Sequence, residues 1–260
     1  MKLTLTTLPD IPLVQPGDDL VEILWRALEK ARIRLRHGDI LALASKIVSK
    51  AEGRLVHLSQ VIPSEPTQEL ARKSEKDPRL VELILRESRE VLRVRPGAII
   101  VEHRLGFVCA NAGIDHSNVA PPPDAPAHLS SEEWVLLLPE NPSASAARLR
   151  KGLEQRSGAQ LGVLIVDSHG RAWRIGTVGN CIGLSGLPAI VDERGWKDLF
   201  GYELRVTVVG VADELAAAAS LLMGQAAEAT PAVHIRGFPY PLCEGNFSDL
   251  LRPKEQDLFR

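Results

Sequence analysis

Two short apolar runs, each ending abruptly in polar residues, place the strongest constraint on how this chain folds. The first run, Phe107–Cys109, is followed by amides, glycine and Asp115, and the second, Leu161–Val166, is followed directly by Asp167. Both patterns predict a buried strand and then a turn, where proteins commonly place their chemistry. Two such strand ends can bring two carboxylates to one cation, although each aspartate alone is also explained as a turn cap.

The size and composition are those of a globular protein. The chain has 260 residues, of which 45% are hydrophobic and 25% charged, enough for one large domain or two closely packed smaller ones. Aromatic residues make up only 4%, so the core must depend on Leu, Val, Ile and Ala. We predict one domain over residues 1–245 and a polar C-terminal tail over residues 246–260.

Charge and hydropathy argue against nucleic acid and membrane partners. The formal net charge is -2 without a strongly basic run, and no apolar stretch approaches membrane-spanning length. The N-terminus lacks the apolar core of a signal peptide, so we expect a cytoplasmic protein. The three cysteines, Cys109, Cys181 and Cys243, lie far apart without CxxC spacing, which argues against a disulfide scaffold or a thiolate zinc site.

Helical and strand patterns alternate irregularly along the chain. Helices are predicted at Leu20–Ala31 (capped by Asp18 or Asp19), Ser64–Lys76, Asp77–Leu92, Ser143–Leu153 (capped by Ser143) and Ala212–Met223. Further strands are predicted at Ile40–Ala44, Ala98–Glu102, Leu204–Val211 and Ala232–Ile235, with His103–Gly106 as a hairpin link. The proline-rich stretch Ala120–Ser131 predicts a loop or linker. This mixture favours an α+β fold with mixed sheets and helices in two interlocking lobes.

The glycine-rich segment Gly176–Gly186 does not match a known nucleotide-binding pattern. Its spacing differs from G-x-G-x-x-G, and no G-x-x-x-x-G-K-[ST] motif occurs in the chain. We therefore predict tight turns and close backbone packing there, with a role in lining a substrate cleft as the alternative.

Lys46 and Lys50 form a local basic pair after the predicted strand Ile40–Ala44. A four-residue step keeps both ammonium groups on one face of a helix or an extended segment. Two adjacent lysines repel one another unless an anion lies between them, and phosphate is the usual biological anion. The alternative is a solvated basic turn.

Asp115, Asp167 and Ser168 form a set of hard oxygen donors without histidine or thiolate at ligand spacing. Such donors favour Mg²⁺ or Mn²⁺ over zinc, and an ion held by two carboxylates keeps positions open for nucleotide phosphates. His116 and His169 are predicted to be exposed loop histidines rather than ligands.

The motifs, taken in order, resemble those of a known family. The matching segments are IPLVQPGDDL, SKIVSKAEGR, GFVCANAGIDHSN, VDSHGRAWRIGTVG, KDLFGYEL, VADELAAAASLLMGQA and AVHIRG. Together they resemble the coenzyme F420-0:L-glutamate ligases, the GTP-dependent γ-glutamyl ligases of deazaflavin coenzyme synthesis. The resemblance runs from Leu8 to Gly237 and implies the single-domain form, without a C-terminal nitroreductase-like extension.

This resemblance implies a reaction, substrates and a homodimer. The terminal carboxylate of coenzyme F420-0 would attack the γ-phosphate of GTP, and L-glutamate would displace phosphate from the resulting acyl phosphate to form an amide. Later rounds would add γ-linked glutamates. The implied cations are Mg²⁺ or Mn²⁺, with K⁺ as an optional further cation.

The resemblance also implies the role of each site residue. The divalent metal would be held by Asp115, Asp167, Ser168 and Gln225. GTP would be contacted by Ile11, Pro12, Leu13, Val14, Ser45, Lys46, Lys50, Asn118, Met223, Gly224, Gln225, Ala226, Ala227, Glu228, Ala229 and Thr230. The catalytic charges would be carried by Lys46, Lys50, Asp115 and Asp167.

Two other functions stay open at this stage. One is a nucleotide-binding protein that has kept the fold without catalysis, and the other is a related amide ligase with a different acidic acceptor. Arg171, Arg174, Lys197 and Arg205 are candidate anchors for acidic substrates or ordinary surface residues.

Overall fold

A computed structural model describes residues 2–258, which contain six α-helices and twelve β-strands. The helices are α1 (Leu20–Lys30), α2 (Ser45–Ala51), α3 (Glu65–Ser74), α4 (Pro78–Arg86), α5 (Pro142–Ser157) and α6 (Val211–Met223). The strands are β1 (Thr4–Thr7), β2 (Ile40–Ala44), β3 (Leu55–His57), β4 (Ser88–Arg95), β5 (Ala98–His103), β6 (Val108–Ala110), β7 (Trp134–Leu136), β8 (Gly162–Arg171), β9 (Arg174–Ser185), β10 (Val191–Asp192), β11 (Val208–Val209) and β12 (Ala232–Arg236). The α+β prediction is confirmed, whereas the two-lobe division stays a prediction.

A five-stranded sheet in the order β1-β12-β2-β8-β9 forms the centre of the molecule. Strands β2 and β8 are parallel, and the other neighbours are antiparallel. Apolar side chains cover both faces because successive residues of a strand point to opposite sides. Leu41 and Val163 join a core with α1 and α5, whereas Ile40 and Leu164 join a second core with α6. Burial on both sides explains the nearly continuous apolar runs of these strands.

Smaller sheets extend the fold beyond the central one. Strands β4, β5 and β6 form a three-stranded antiparallel sheet, while β3 pairs with β7 and β10 pairs with β11. Ile99, Val101 and Cys109 bring the three-stranded sheet into the same core as α1 and α5. The predicted hairpin between β5 and β6 is confirmed, as is the irregular conformation of the proline-rich stretch 120–131.

Several predicted boundaries of helices and strands were wrong, because strand pairing in the folded protein overrides the preference of the local sequence. The helix predicted at Asp77–Leu92 ends at Arg86, since the following residues pair with β5 as strand β4. Of the strand predicted at Leu204–Val211, the structure has Val208–Val209 as strand β11, which pairs with the short strand β10. Helix α1 is capped by Asp19 as predicted, but α5 is capped by Asn141 rather than by Ser143.

The predicted strand end at Asp167 was also wrong, because β8 continues to Arg171 and forms a long hairpin with β9. The glycine-rich segment is most of strand β9 rather than a set of turns. Its close packing was correctly predicted. A Cβ atom at Gly183 would lie 2.5 Å from the backbone carbon of Pro142, and one at Gly179 would lie 2.6 Å from the carbonyl oxygen of Ala216. These glycines let α5 and α6 approach the sheet.

We expect Gly183→Ala to lower the free energy of unfolding by about 1–3 kcal/mol, because backbone atoms at the start of α5 must move. Gly170→Ala is the matched control in the same hairpin, since no atom lies within 4 Å of its added Cβ. The control should change stability by less than about 0.5 kcal/mol. Urea unfolding measures both, and equal stability of the two variants would contradict this account of the α5–sheet contact.

The C-terminal segment packs on the protein within the described residues. The rings of Phe247 and Phe107 meet edge to face, with centroids 6.1 Å apart, and Leu250 and Leu251 are partly buried against the two cores. Asn246 and Asp249 cap each other's backbone N–H groups in a short 3₁₀ turn. Residue 1 of the predicted domain and residues 259–260 of the predicted tail lie outside the described residues. Among residues 2–258, the helices are all too short or too polar to cross a membrane.

Candidate active site

Two consecutive residues at the start of α2 contact two distant segments of the chain. The Ser45 hydroxyl donates to Oδ1 of Asp167 at 2.6 Å, across 122 residues of sequence. The Lys46 ammonium group donates to Oδ2 of Asp115 at 2.7 Å, across 69 residues. The structure therefore brings together both predicted carboxylates and the first predicted lysine around the start of one helix.

Asp115 is fixed in place by its backbone. Its N–H donates to the carbonyl of Leu136 at 3.0 Å, and its carbonyl accepts from the N–H of Leu136 at 2.9 Å. The preceding turn includes Asn111 and Ala112, with φ values of 51° and 52°. This left-handed conformation costs a residue with a Cβ roughly 1–2 kcal/mol. Complete burial of Ala112 and a bond from the N–H of Ile99 to Oδ1 of Asn111 hold the turn in place.

Asp167 lies within β8 and is almost covered by its neighbours. Besides Ser45, it contacts His169, whose Nε2 lies 2.8 Å from Oδ2, close enough for an ion pair but not aligned as a hydrogen bond. Burial alone would raise the pKa of Asp167, but the contacts with His169 and Ser45 and the charge of Lys46 lower it overall. Asp167 is thus held as a carboxylate.

The prediction of an exposed His169 was wrong. Only 10% of its side chain is exposed, and its ring lies 5.0 Å from that of Phe107 between centroids. Strand alternation explains the error, because His169 and Asp167 point to the same face of a strand that continues past both. His116 is exposed, as predicted.

The charges of Asp115 and Asp167 act on each other. Burial raises the pKa of Asp115, and the charge of Asp167 raises it further, whereas Lys46 opposes both effects. Two partly buried carboxylates that repel one another form an oxygen donor set that fits Mg²⁺ or Mn²⁺. Residues 2–258 contain no cluster of three or more His, Cys, Asp or Glu side chains suited to a metal.

Lys50 and Asn118 connect this site to the loop after α6. Lys50 donates to the carbonyl of Asn118 at 2.7 Å, and the amide of Asn118 donates to the carbonyl of Ala226 at 2.9 Å. Burial and the repulsion of Lys46 lower the pKa of Lys50. Within the loop, a carboxylate oxygen of Glu228 accepts from the N–H of Ala226 at 2.8 Å. The predicted segment Met223–Thr230 is therefore next to the lysine pair.

Other predicted site residues are placed less directly. The segment Ile11–Val14 lies between Leu8, whose N–H donates to the carbonyl of Ala232, and Gly17, whose N–H donates to the carbonyl of Ala51. It therefore runs from β12 towards the end of α2.

Ser168 and Gln225 are not brought to the two carboxylates by direct contacts. Ser168 follows Asp167 in a regular stretch of strand, so its hydroxyl points to the opposite face of the sheet. Gln225 is exposed, and across residues 2–258 no hydrogen bond joins its side chain to Asp115 or Asp167. Their predicted part in metal binding stays a prediction.

Two features next to these residues were not predicted from the sequence. Ser117 binds the ammonium group of Lys46 through both its carbonyl and its hydroxyl, each at 3.1 Å. Asp213, in the first turn of α6, lines a cavity beside His169. A serine in a polar loop and an acid at a helix start are both common, so the sequence held no signal for either role.

Comparison with known proteins identifies relatives of this chain along its whole length. Residues 10–237 match the family model described as F420-0:Gamma-glutamyl ligase. The chain is 45% identical to the coenzyme F420:L-glutamate ligase of Methanothermobacter thermautotrophicus, over 100% of both chains. It is 46% identical to the enzyme of that name from Methanopyrus kandleri, over 95% of this chain and 93% of the relative. The similarly named Archaeoglobus fulgidus protein is 41% identical over 100% of this chain and 97% of the relative.

Proposed function

Because this chain belongs to the F420-0:gamma-glutamyl ligase family, we propose that it joins L-glutamate to coenzyme F420-0 through an amide bond, driven by GTP. It is an enzyme of the ligase class. The observation that carries the proposal is the meeting of Lys46, Asp115 and Asp167 at the start of α2, with Lys50 beside them. This arrangement suits a phosphate chain and its counter-charges.

The proposed reaction has two steps. A carboxylate oxygen of coenzyme F420-0 attacks the γ-phosphorus of GTP, and the bond from that phosphorus to the β,γ-bridging oxygen breaks to release GDP. The amine of L-glutamate then attacks the carbonyl carbon of the acyl phosphate. The carbon–oxygen bond breaks, inorganic phosphate leaves and the nitrogen gives up its proton to solvent. Further rounds would add γ-linked glutamates to the product.

The protein's part in these steps is to position phosphates and neutralise their charge. Lys46 and Lys50 offer two ammonium groups to the phosphate chain, and the loop Met223–Thr230 with Asn118 would hold the nucleotide. Asp115 and Asp167 would hold Mg²⁺ or Mn²⁺, which when bound supplies further positive charge to the transferring phosphoryl group. Phosphoryl transfer depends on such positioning more than on a covalent protein nucleophile.

A single assay tests the proposal against its alternatives. The protein is incubated with GTP, Mn²⁺ or Mg²⁺, L-glutamate and coenzyme F420-0, and GDP release and product mass are measured. GDP formation that requires coenzyme F420-0, with one or more glutamyl residues added to its mass, is the expected result. Turnover only with another acidic acceptor would indicate a related amide ligase, and GTP binding without turnover would indicate a non-catalytic homologue.

We also propose that the protein acts as a homodimer. Several large apolar side chains are strongly exposed on the hairpin tip and on the segment between β10 and β11, namely Ile175, Leu199, Phe200 and Val206. Large apolar side chains exposed to this degree are typical of protein–protein interfaces. A second copy of the chain is the partner that the family resemblance implies.

We expect the double variant Leu199→Asp, Phe200→Asp to weaken self-association at least tenfold, because both side chains are more than 90% exposed, at 98% and 95%. The loop should keep its shape, since the Asp198 carboxylate accepts from the N–H groups of Phe200 and Tyr202. Light scattering coupled to size exclusion measures the mass. Ile62→Asp, at a residue 82% exposed elsewhere, is the control and should leave the mass unchanged. A monomeric wild-type protein would refute the proposal.

A further inference from the structure

A cavity of about 220 Å³ lies beside the candidate active site and is not used by the nucleotide or metal contacts described above. Residues of β8, β9 and α6 line it, and the C-terminal segment adds Phe247, Leu250 and Leu251. His169 lies in its wall and contacts Asp167, so the cavity adjoins the proposed phosphoryl-transfer centre. A substrate that must reach that centre without occupying the nucleotide site could enter here.

One wall of the cavity carries a carboxylate without a cationic partner. Oδ1 of Asp213 accepts from the N–H of Cys181 at 2.9 Å, and no donor within residues 2–258 binds its other oxygen. Burial raises the pKa of Asp213, against the opposing effects of the Cys181 N–H and the charge of His169. A ligand ammonium group at this oxygen would supply the missing positive charge.

Arg171, which ends β8, also lines the cavity. It forms no salt bridge within residues 2–258, and its one hydrogen bond there is a weak one at 3.5 Å to the carbonyl of Gly176. An arginine that is free of ion pairs is suited to bidentate recognition of a carboxylate. Asn180, directly opposite Asp167 in the β8–β9 pairing, adds an amide to the same wall.

Charge and size together indicate the class of ligand. A carboxylate and a guanidinium that both lack a salt bridge within residues 2–258, at one small cavity, complement a zwitterion with an ammonium group and a carboxylate. The cavity volume is below the roughly 300–1,000 Å³ of pockets for drug-sized ligands, so it suits a small molecule better than a nucleotide or a deazaflavin. An α-amino acid fits both criteria.

We infer that this cavity is the binding site of the amino-acid co-substrate, with Asp213 holding the ammonium group and Arg171 a carboxylate of L-glutamate. The inference rests on the proposed function for the identity of the amino acid. In this arrangement the amino acid lies on the His169 side of Asp167, while GTP lies on the α2 side. The nucleophile and the phosphate donor would thus approach the centre from different directions.

Asp213→Asn and Arg171→Gln test the inference in the complete protein. Asn keeps an oxygen for the Cys181 N–H, so the fold should be retained. Each variant should raise the KM for L-glutamate at least tenfold, with less than twofold change in the KM values for GTP and coenzyme F420-0. Glu214→Gln, on the exposed next residue of α6, and Arg72→Gln, at an exposed arginine of α3, are matched controls and should leave all three values unchanged.

The outcomes separate this inference from the proposed function. If ligation occurs and neither variant changes the KM for L-glutamate, the site assignment is overturned while the function stands. If no ligation occurs, calorimetric titration of wild-type protein with L-glutamate decides the question. Binding that both variants weaken at least tenfold would support the site without the reaction, and absent or unaltered binding would overturn it.

Discussion

Asp115→Asn should reduce kcat/KM for GTP-dependent ligation by about 10³-fold or more while leaving the fold intact. The substitution removes one of the two carboxylates of the proposed cation site but keeps an oxygen that can accept from Lys46. The backbone bonds between Asp115 and Leu136 do not depend on the side chain, so circular dichroism and thermal unfolding should change little. The deficit should shrink as Mn²⁺ is raised, because the loss is one of metal affinity.

Asp124→Asn is the matched control, since Asp124 is an exposed aspartate in the proline-rich loop. It should retain wild-type activity at every metal concentration. Near-normal activity of Asp115→Asn at ordinary metal concentrations would refute the assignment of Asp115 to the metal. A variant that is inactive and also unfolded would instead point to a structural role.

Lys46→Met should lower kcat/KM by roughly 10²–10³-fold, because it removes a charge aimed at the phosphate chain. Extra metal should not restore this loss, which separates the role of Lys46 from that of Asp115. The variant has a second expected effect. The Lys46 charge lowers the pKa of Asp115 against burial, so its removal should raise that pKa. Less Asp115 would then be ionised at a given pH, and the acid limb of any residual activity should move to higher pH.

Lys73→Met provides the control for loss of a lysine charge. Lys73 forms an exposed ion pair with Glu69 at 2.6 Å on α3, a helix that carries none of the proposed site residues. Pairs of this kind contribute little, so activity and the pH profile should match the wild type. A pH–rate profile of both variants tests the predicted shift of the acid limb. If the acid limb of Lys46→Met lies at the same pH as in the wild type, Lys46 and Asp115 are not coupled.

The sequence predicted which residues lie together better than it predicted how the site is built. Lys46, Asp115 and Asp167 were identified from residue type and motif, and their contacts confirm that they lie together. The turn predicted after Asp167 was wrong because Ser168 and Gly170, typical turn residues, here pair with β9 across a hairpin. Local composition cannot reveal a partner strand that arrives later in the chain.

The same reason explains what the sequence could not show. Gly179 and Gly183 predicted turns, yet each lies in strand β9. Both positions lack room for a side chain because a helix packs closely against the strand. The cavity is formed by the ends of β8, β9 and α6 together with the C-terminal segment, which was predicted only as a polar tail. Asp213 lacks a salt bridge within residues 2–258 because of how these strands, the helix and the C-terminal segment come together, and not because of its neighbours in sequence.

The strand order of the central sheet has a consequence for how the protein is made. β12 follows the other eleven strands in the described chain, yet it lies between β1 and β2, the first two of them. During synthesis β1 and β2 therefore stay unpaired on the side that β12 fills until residues 232–236 have been made. Such long-range pairing is typical of slow folding and exposes strand edges to aggregation. Nascent chains that stop before residue 232 should be poor at reaching a nucleotide-binding state, since the central sheet beneath α2 lacks β12 until that point.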